Sequence, residues 1–199
     1  MNLVLDQARK YFAHAPWMTL FFSLALLMYV LAYFSSAFVP GHSNPVGWWG
    51  WWDQSQYLRS ADGLAHGNLD PSEHWYPLGY SLLGAIFFRW IPLHAFFVPN
   101  VVCFLAFGAS LVHMAKALGL ARTWGAAAFF GGAVLPSLML EQYVIPWSTI
   151  PLAAAYGWIL LLYLYCMRDG FTRGRLVALA LLFVAVIAVR PTDVFPRVP

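Results

Sequence analysis

Apolar runs long enough to cross a membrane constrain the fold of this chain more than any other feature. The first run, residues 17–39, holds 23 residues without one charged side chain. A helix rises about 1.5 Å per residue, so roughly 20 apolar residues cross a hydrocarbon core of about 30 Å. Only 10% of the residues are charged and 61% are hydrophobic, far from the composition of soluble domains. The sequence therefore predicts an all-α integral membrane protein.

Five apolar runs, the last of them short unless it extends at either end, are expected to form a single transmembrane module over residues 1–199. Arg9 and Lys10 precede the first run, which is longer than the apolar region of a signal peptide, so we expect it to be retained as a span. The chain would then be surrounded by membrane lipids. The predicted spans are residues 17–39, 95–118, 123–140, 148–167 and 176–189.

A further apolar stretch, residues 77–92, decides the orientation of the later spans. It has 16 residues, carries Arg89 and is bracketed by prolines, which favours a helix lying in the membrane interface over a span. With the N-terminus inside, most basic residues then lie on the cytoplasmic side, as the positive-inside rule requires. If the stretch were a span, five of them would move outside. The residues placed inside are Arg9, Lys10, Lys116, Arg122, Arg168, Arg173 and Arg175.

This topology places the loop of residues 40–94 on the outer face, where Asp53 follows a run of tryptophans. Asp53 and Tyr57 are four residues apart, so a helix over about residues 52–66 would carry both on one face. Held at the membrane surface, the carboxylate can act as a general base or bind a cation. Alternatively, Asp53 caps the helix N-terminus and the tryptophans form an ordinary interfacial belt. The residues themselves leave both interpretations open.

Three other outer-face residues are candidates for a site. Glu141 lies where the span 123–140 meets the outer surface, so an ionisable group is expected at the membrane boundary there. Arg190 ends the last span, where it can bind a phosphate with two N–H groups or extend to the interface as an anchor. Tyr76 and Pro77 precede the predicted interfacial helix, in which Gly79 and Gly84 permit close approach of another backbone or of lipid.

Several other function classes are disfavoured. The formal charge of +3 is small and dispersed, so no nucleic-acid partner is expected. The sequence has no glycine-rich phosphate loop, no GxSxG motif and no HExxH metal motif. A transporter is also disfavoured, because no inverted repeat and no interrupted helix pair with charges in mid-membrane is recognisable.

The order of these features resembles the N-terminal part of a GT-C membrane glycosyltransferase. The segments that carry the resemblance are "DQSQYLRSADGLAHGN" from Asp53, "YPLGYSLLGAIF" from Tyr76, and "VRPTD" around Arg190. Protein O-mannosyltransferases and lipid A aminoarabinose transferases belong to that superfamily, whose first outer loop carries an essential acidic residue and two juxtamembrane helices. The resemblance implies that Asp53 is this catalytic residue and that Glu141 matches the acidic residue of the second outer loop.

The resemblance also implies the activity. The enzyme would transfer a sugar from a polyprenyl-phosphate donor to a hydroxyl of a lipid, glycan or protein at the outer face of a bacterial inner membrane. Tyr57, Tyr76 and Arg190 are expected at the substrate site. A divalent cation, Mg or Mn, at Asp53 and Glu141 is left open, because Gln54 stands where family members often have a second acidic residue.

One departure from the family concerns length. GT-C modules have more spans than the five counted here, so this chain is expected to be an incomplete module whose activity by itself is left open. The alternative function is non-enzymatic: a multispan lipid-binding or assembly subunit, or an inactive remnant in which Asp53 only caps a helix.

Overall fold

The protein, seen here as a computed structural model, is described over residues 2–36 and 52–190, with side chains from Pro16 onward. These ranges contain only helices, turns and connecting segments, which confirms the all-helical prediction. The tryptophans that precede Trp52 in the sequence lie outside the described residues. The α-helices are α1 Asn2–Ser36, α2 Trp52–Ala65, α3 Leu78–Phe88, α4 Phe97–Ala117, α5 Arg122–Phe129, α6 Ser137–Val144, α7 Thr149–Asp169 and α8 Arg173–Val189.

Three helical segments are long and apolar enough to cross a membrane: Pro16–Ser35, Pro92–Ala117 and Thr149–Asp169. They correspond to three of the five predicted spans. The predicted span 176–189 lies in α8, which has 17 residues and a length of about 26 Å, less than a hydrocarbon core of roughly 30 Å. By length and composition, the described residues therefore hold three candidate spans, or four if a bent pair of helices is counted as one.

That bent pair covers the predicted span over residues 123–140 and shows that this part of the chain is not one straight helix. α5 continues through a π-helical turn, Phe130–Val134, and α6 then leaves at an angle of 86°. The break falls at Pro136, whose ψ of 111° is extended. Proline has no N–H with which to continue the ladder of the preceding helix, so the helix stops there and restarts at Ser137 in a new direction.

The stretch predicted to form a helix over residues 77–92 contains the short helix α3, Leu78–Phe88. Its 11 residues span only about 16 Å, too little to cross a membrane. One face is buried and includes Tyr80 and Gly84. The exposed side chains follow one another at four-residue intervals: Leu78, Leu82 and Ile86. α3 therefore has one face for the protein and an apolar stripe on the other.

The core forms around α4, which packs mainly against α7 and α5. Phe104 lies at its centre, with ring centroids 5.0 Å from Tyr29 and 4.8 Å from Phe129. Gly125 lets α5 touch the backbone of α4: a Cβ atom added there would lie 2.5 Å from the carbonyl oxygen of Leu111. Further along the same segment, a Cβ atom added at Gly131 or Gly132 would have no described atom within 4 Å.

Aromatic contacts fix α2 and α3 to the start of α4. The ring of Tyr80 meets Tyr57 of α2 edge-on at 4.9 Å and stacks on Phe96 at 4.4 Å. Its hydroxyl donates to Asn100 Oδ1 at 3.0 Å, in a fully buried setting. A buried phenol needs such an acceptor, so Tyr80 holds the two loop-borne helices in one place relative to the long helices.

Candidate functional site

Four elements meet at a pocket of about 420 Å³: the start of α2, the segment before α3, the start of α7 and the end of α8. Four of the five predicted site residues line it, although they are up to 137 positions apart in the sequence. Folding therefore brings together site residues that were predicted from separate segments of the sequence. The lining residues are Asp53, Tyr57, Tyr76, Pro77, Trp147, Ser148, Thr149, Val189 and Arg190.

Asp53 is half-buried in the first turn of α2, and its Oδ1 accepts a hydrogen bond from the Tyr76 hydroxyl at 2.7 Å. In the described part of the chain, this is the only hydrogen bond found for the carboxylate. The alternative prediction of a helix cap requires a backbone N–H of the first turn as donor, and among the described residues Asp53 is bonded to a side chain instead. Within residues 52–190, no hydrogen-bond donor is found for the second oxygen, Oδ2.

Tyr57 lies between the pocket and the core, with 6% of its surface exposed. Its ring stacks on Tyr76, with centroids 4.6 Å apart and planes at 23°. Burial raises the pKa of the Tyr57 phenol, against the opposing effects of a hydrogen bond with Ser148 and the positive charge of Arg190. Arg190 therefore influences this pocket electrostatically from the end of α8, although its own side chain is exposed.

The Asp53–Tyr76 hydrogen bond has a consequence that varies with pH. Together with partial burial, it raises the pKa of Tyr76 from 10.0 to about 12. The folded protein thus holds this proton more tightly than the unfolded chain, so the pairing stabilises the fold below pH 10.0 and is lost as pH rises through about 12. The melting temperature of Tyr76→Phe in detergent should therefore fall below that of the wild type, by an amount that shrinks across this range.

The control for this prediction is Tyr163→Phe on α7, where the side chain is 52% exposed and the same hydroxyl is removed. A difference between wild type and Tyr76→Phe that stays constant from pH 10 to pH 12 would contradict the assigned pairing.

Glu141 does not line the pocket; it is exposed on α6. Asp53 is the only carboxylate among the lining residues, and the described residues contain no group of three or more His, Cys, Asp or Glu that could hold a metal ion. The residues at the pocket therefore do not fit the Mg or Mn site considered from the sequence, and no chemical step is derived through a cation. A role for Glu141 stays a prediction.

Sequence reasoning missed the contribution of α7. Trp147, Ser148 and Thr149 stand at its first turn and line the pocket. Ser148 is 8% exposed, and its side chain acts to lower the pKa of the Tyr57 phenol. A serine directly before a long apolar run is a recognised signal for a helix start, but nothing in the pattern indicates that this start faces Asp53.

A second, apolar cavity adjoins the pocket. This groove, of about 350 Å³, lies between α3, α7 and α8. Val189 lines both cavities, and other lining residues are close neighbours in sequence, such as Pro77 and Gly79, or Thr149 and Pro151. The groove residues are Gly79, Leu82, Leu83, Pro151, Leu152, Ala155, Ala185, Val186, Ala188 and Val189. The site thus has a charged compartment and an apolar one side by side.

Comparison of the chain with protein-family models, with curated proteins and with solved structures found no match in any of the three.

Proposed function

We propose that this protein is a membrane glycosyltransferase that moves a sugar from a polyprenyl-phosphate donor to an acceptor hydroxyl at the outer face of the membrane. The observation that carries the proposal is the pocket containing Asp53 and Arg190 directly beside an apolar groove, with Val189 lining both. A ligand that fills both cavities must have a polar, anionic head and a long apolar tail, as a lipid-linked sugar phosphate does.

The distribution of apolar surface supports insertion in a membrane. Leu82 and Ile86 are exposed on α3, and Trp52 and Trp75, immediately before two pocket residues, are 70% and 71% exposed. Tryptophan favours the level of lipid headgroups. The pocket then lies at a membrane surface, with the apolar groove directed towards the lipid.

The opposite end of α7 supports the orientation. Arg168 Nη1 donates to the carbonyl of Ala117 at the end of α4, and Arg175 Nη1 donates to the carbonyl of Gly170. The cationic ends of α4, α7 and α8 thus meet about 30 Å from Ser148, given the 21 residues of α7. The positive-inside rule favours a cytoplasmic position for this end, and the pocket would then face outside. A bacterial inner membrane, with the pocket on its periplasmic face, is what the family resemblance implies.

Two features of the pocket suit a phosphate. The guanidinium of Arg190 offers paired N–H donors. The first turn of α7, at Ser148 and Thr149, also lines the pocket, and a helix N-terminus carries partial positive charge with unpaired N–H groups. Both favour the charge that develops on the departing phosphate.

Asp53 supplies the base. The acceptor hydroxyl would approach its Oδ2, lose its proton to the carboxylate and attack C1 of the sugar from the side opposite the phosphate. The C1–O bond to phosphate breaks with its electron pair on the leaving oxygen, so the sugar is inverted and polyprenyl phosphate is released. Tyr76, by donating to Oδ1, holds the carboxylate in place during this transfer.

The test is a transfer assay in membranes from cells that express this protein from its complete reading frame. Radiolabelled sugar on polyprenyl phosphate is supplied, and label in acceptor material is measured against membranes lacking the protein. We expect transfer that unlabelled polyprenyl phosphate inhibits and that free inorganic phosphate leaves unchanged. Absence of transfer with each of a panel of lipid-linked sugars would instead favour the non-enzymatic lipid-binding alternative.

The apolar groove gives a separate prediction. Ala185 lines it and is itself exposed, so Ala185→Phe fills the groove without entering the core. Loss of contact for about two methylenes of the lipid, at roughly 0.8 kcal/mol each, predicts about a tenfold higher KM for the polyprenyl donor. The matched control is Ala180→Phe, on an exposed part of α8 outside the groove lining. An equal KM for the two variants would contradict binding of the polyprenyl tail in this groove.

A further inference from the structure

The segment between α2 and α3 carries Tyr76 to Asp53, and it is built from local hydrogen bonds. Gly67 turns the chain after α2 with a φ of 78°, a conformation that suits glycine. The amide of Asn68 then donates to the carbonyl of Gly63 at 2.8 Å. Asp70 Oδ1 accepts from the Ser72 amide at 3.0 Å and begins the short helix Pro71–Glu73. Three residues after this helix, the chain reaches Tyr76.

His74 forms hydrogen bonds through both of its ring nitrogens, and one of the two ties this segment to α2. Nε2 lies 3.2 Å from the carbonyl oxygen of Asn68, and Nδ1 lies 2.7 Å from Ser60 Oγ. A carbonyl oxygen can only accept, so the proton belongs on Nε2, and Nδ1 of the neutral ring then accepts from the Ser60 hydroxyl. Ser60 is 1% exposed, which makes this acceptor costly to lose, because a buried hydroxyl without a partner is destabilising.

The contacts of His74 and Tyr76 fasten the same segment to the same helix. His74 bonds Ser60, and two residues later Tyr76 bonds Asp53, seven residues before Ser60 on α2. Seven residues make about two helical turns, so both contacts fall on similar sides of α2. Tyr57 lies between them in α2 and stacks on Tyr76. The position of the Tyr76 hydroxyl thus depends on a segment that His74 anchors.

We propose that His74 is a positioning residue: its ring, bonded through Nε2 to the carbonyl of Asn68 and through Nδ1 to buried Ser60, holds the Tyr76 hydroxyl on the Asp53 carboxylate. His74 does not line the pocket, and it acts on the site through Tyr76. The consequence for sugar transfer rests on the proposed function, but the contact itself does not.

The test observes the Tyr76 phenol directly and needs no substrate. A fluorinated tyrosine is placed at position 76 alone by amber suppression, and its ionisation is followed by fluorine NMR of the full-length protein in detergent. Ser60→Ala and His74→Ala should both lower the apparent pKa of this phenol towards that of free fluorotyrosine, because its bond to Asp53 is loosened. His74→Asn keeps an acceptor near the position of Nδ1 and should restore most of the raised value.

His66→Ala is the matched control, since His66 is an exposed histidine at the end of α2 that pairs with Asp62 at 2.9 Å, and it should leave the titration unchanged. An unchanged titration in folded Ser60→Ala and His74→Ala would overturn the proposal. If His74→Ala does not fold, Ser60→Ala, which removes one hydroxyl, carries the same test. Where transfer is measurable, Ser60→Ala and His74→Ala should lower kcat while KM for the lipid donor stays within about twofold of the wild type. The result of the titration does not depend on whether transfer is found.

Discussion

Asp53→Asn should reduce sugar transfer by about 10²- to 10⁴-fold, the usual contribution of a positioned general base. The substitution is well suited to the question because asparagine has the same shape as aspartate. Its carbonyl oxygen can still accept the hydrogen bond that Tyr76 now gives to Oδ1, so α2 and the segment before α3 keep their contact. What is lost is the ability of the side chain to take up a proton.

The matched control is Asp62→Asn, the same chemical change nine residues further along α2. Asp62 pairs with His66 and does not line the pocket, so its variant should retain transfer close to that of the wild type. Expression and melting temperature are compared for both variants in detergent. Transfer by Asp53→Asn within a few-fold of the wild type would contradict the assignment of Asp53 as general base. Asp53 would then be only a structural partner of Tyr76.

Gly79→Ala should destabilise the protein and damage the site together. A Cβ atom added to Gly79 would lie 2.5 Å from the carbonyl oxygen of Ala188 and 2.9 Å from the amide nitrogen of Val189. These are backbone atoms of α8, which cannot rotate away as the end of a side chain can. Overpacking of this kind costs about 1–3 kcal/mol, whereas the helix preference of alanine over glycine returns at most about 1 kcal/mol. The clash therefore outweighs the gain in helix propensity.

The functional part of this prediction follows from the position of the contact. Relief of the clash requires α3 and α8 to separate, and Val189 and Arg190 at the end of α8 line the pocket. Transfer should therefore fall along with the melting temperature. Gly174→Ala is the control, because an added Cβ there meets no described atom within 4 Å; it should leave the melting temperature unchanged or raise it slightly. Equal stability of the two variants would contradict the close contact between α3 and α8.

The failures of sequence-based prediction have specific physical causes. The span predicted over residues 123–140 came from hydropathy, which does not register that Pro136 ends one helix and that α6 leaves at 86°. A cation shared by Glu141 and Asp53 was left open from the sequence because both residues were assigned to outer loops. The direction of α6 and the exposure of Glu141 depend on that bend and on packing, which a one-dimensional pattern does not contain.

Local patterns did determine a large part of this protein from the sequence. Apolar length along the chain predicted the helical class and five spans, of which three are candidate spans in the structure. The four-residue spacing of Asp53 and Tyr57 accompanied a predicted helix over 52–66, which the structure shows as α2, Trp52–Ala65. These features depend on residues close together in the chain. The tertiary structure alone decided that Tyr76 bonds Asp53, that the first turn of α7 joins the pocket, and that an apolar groove adjoins it. Such contacts join residues distant in the chain, because they depend on how whole helices pack against one another.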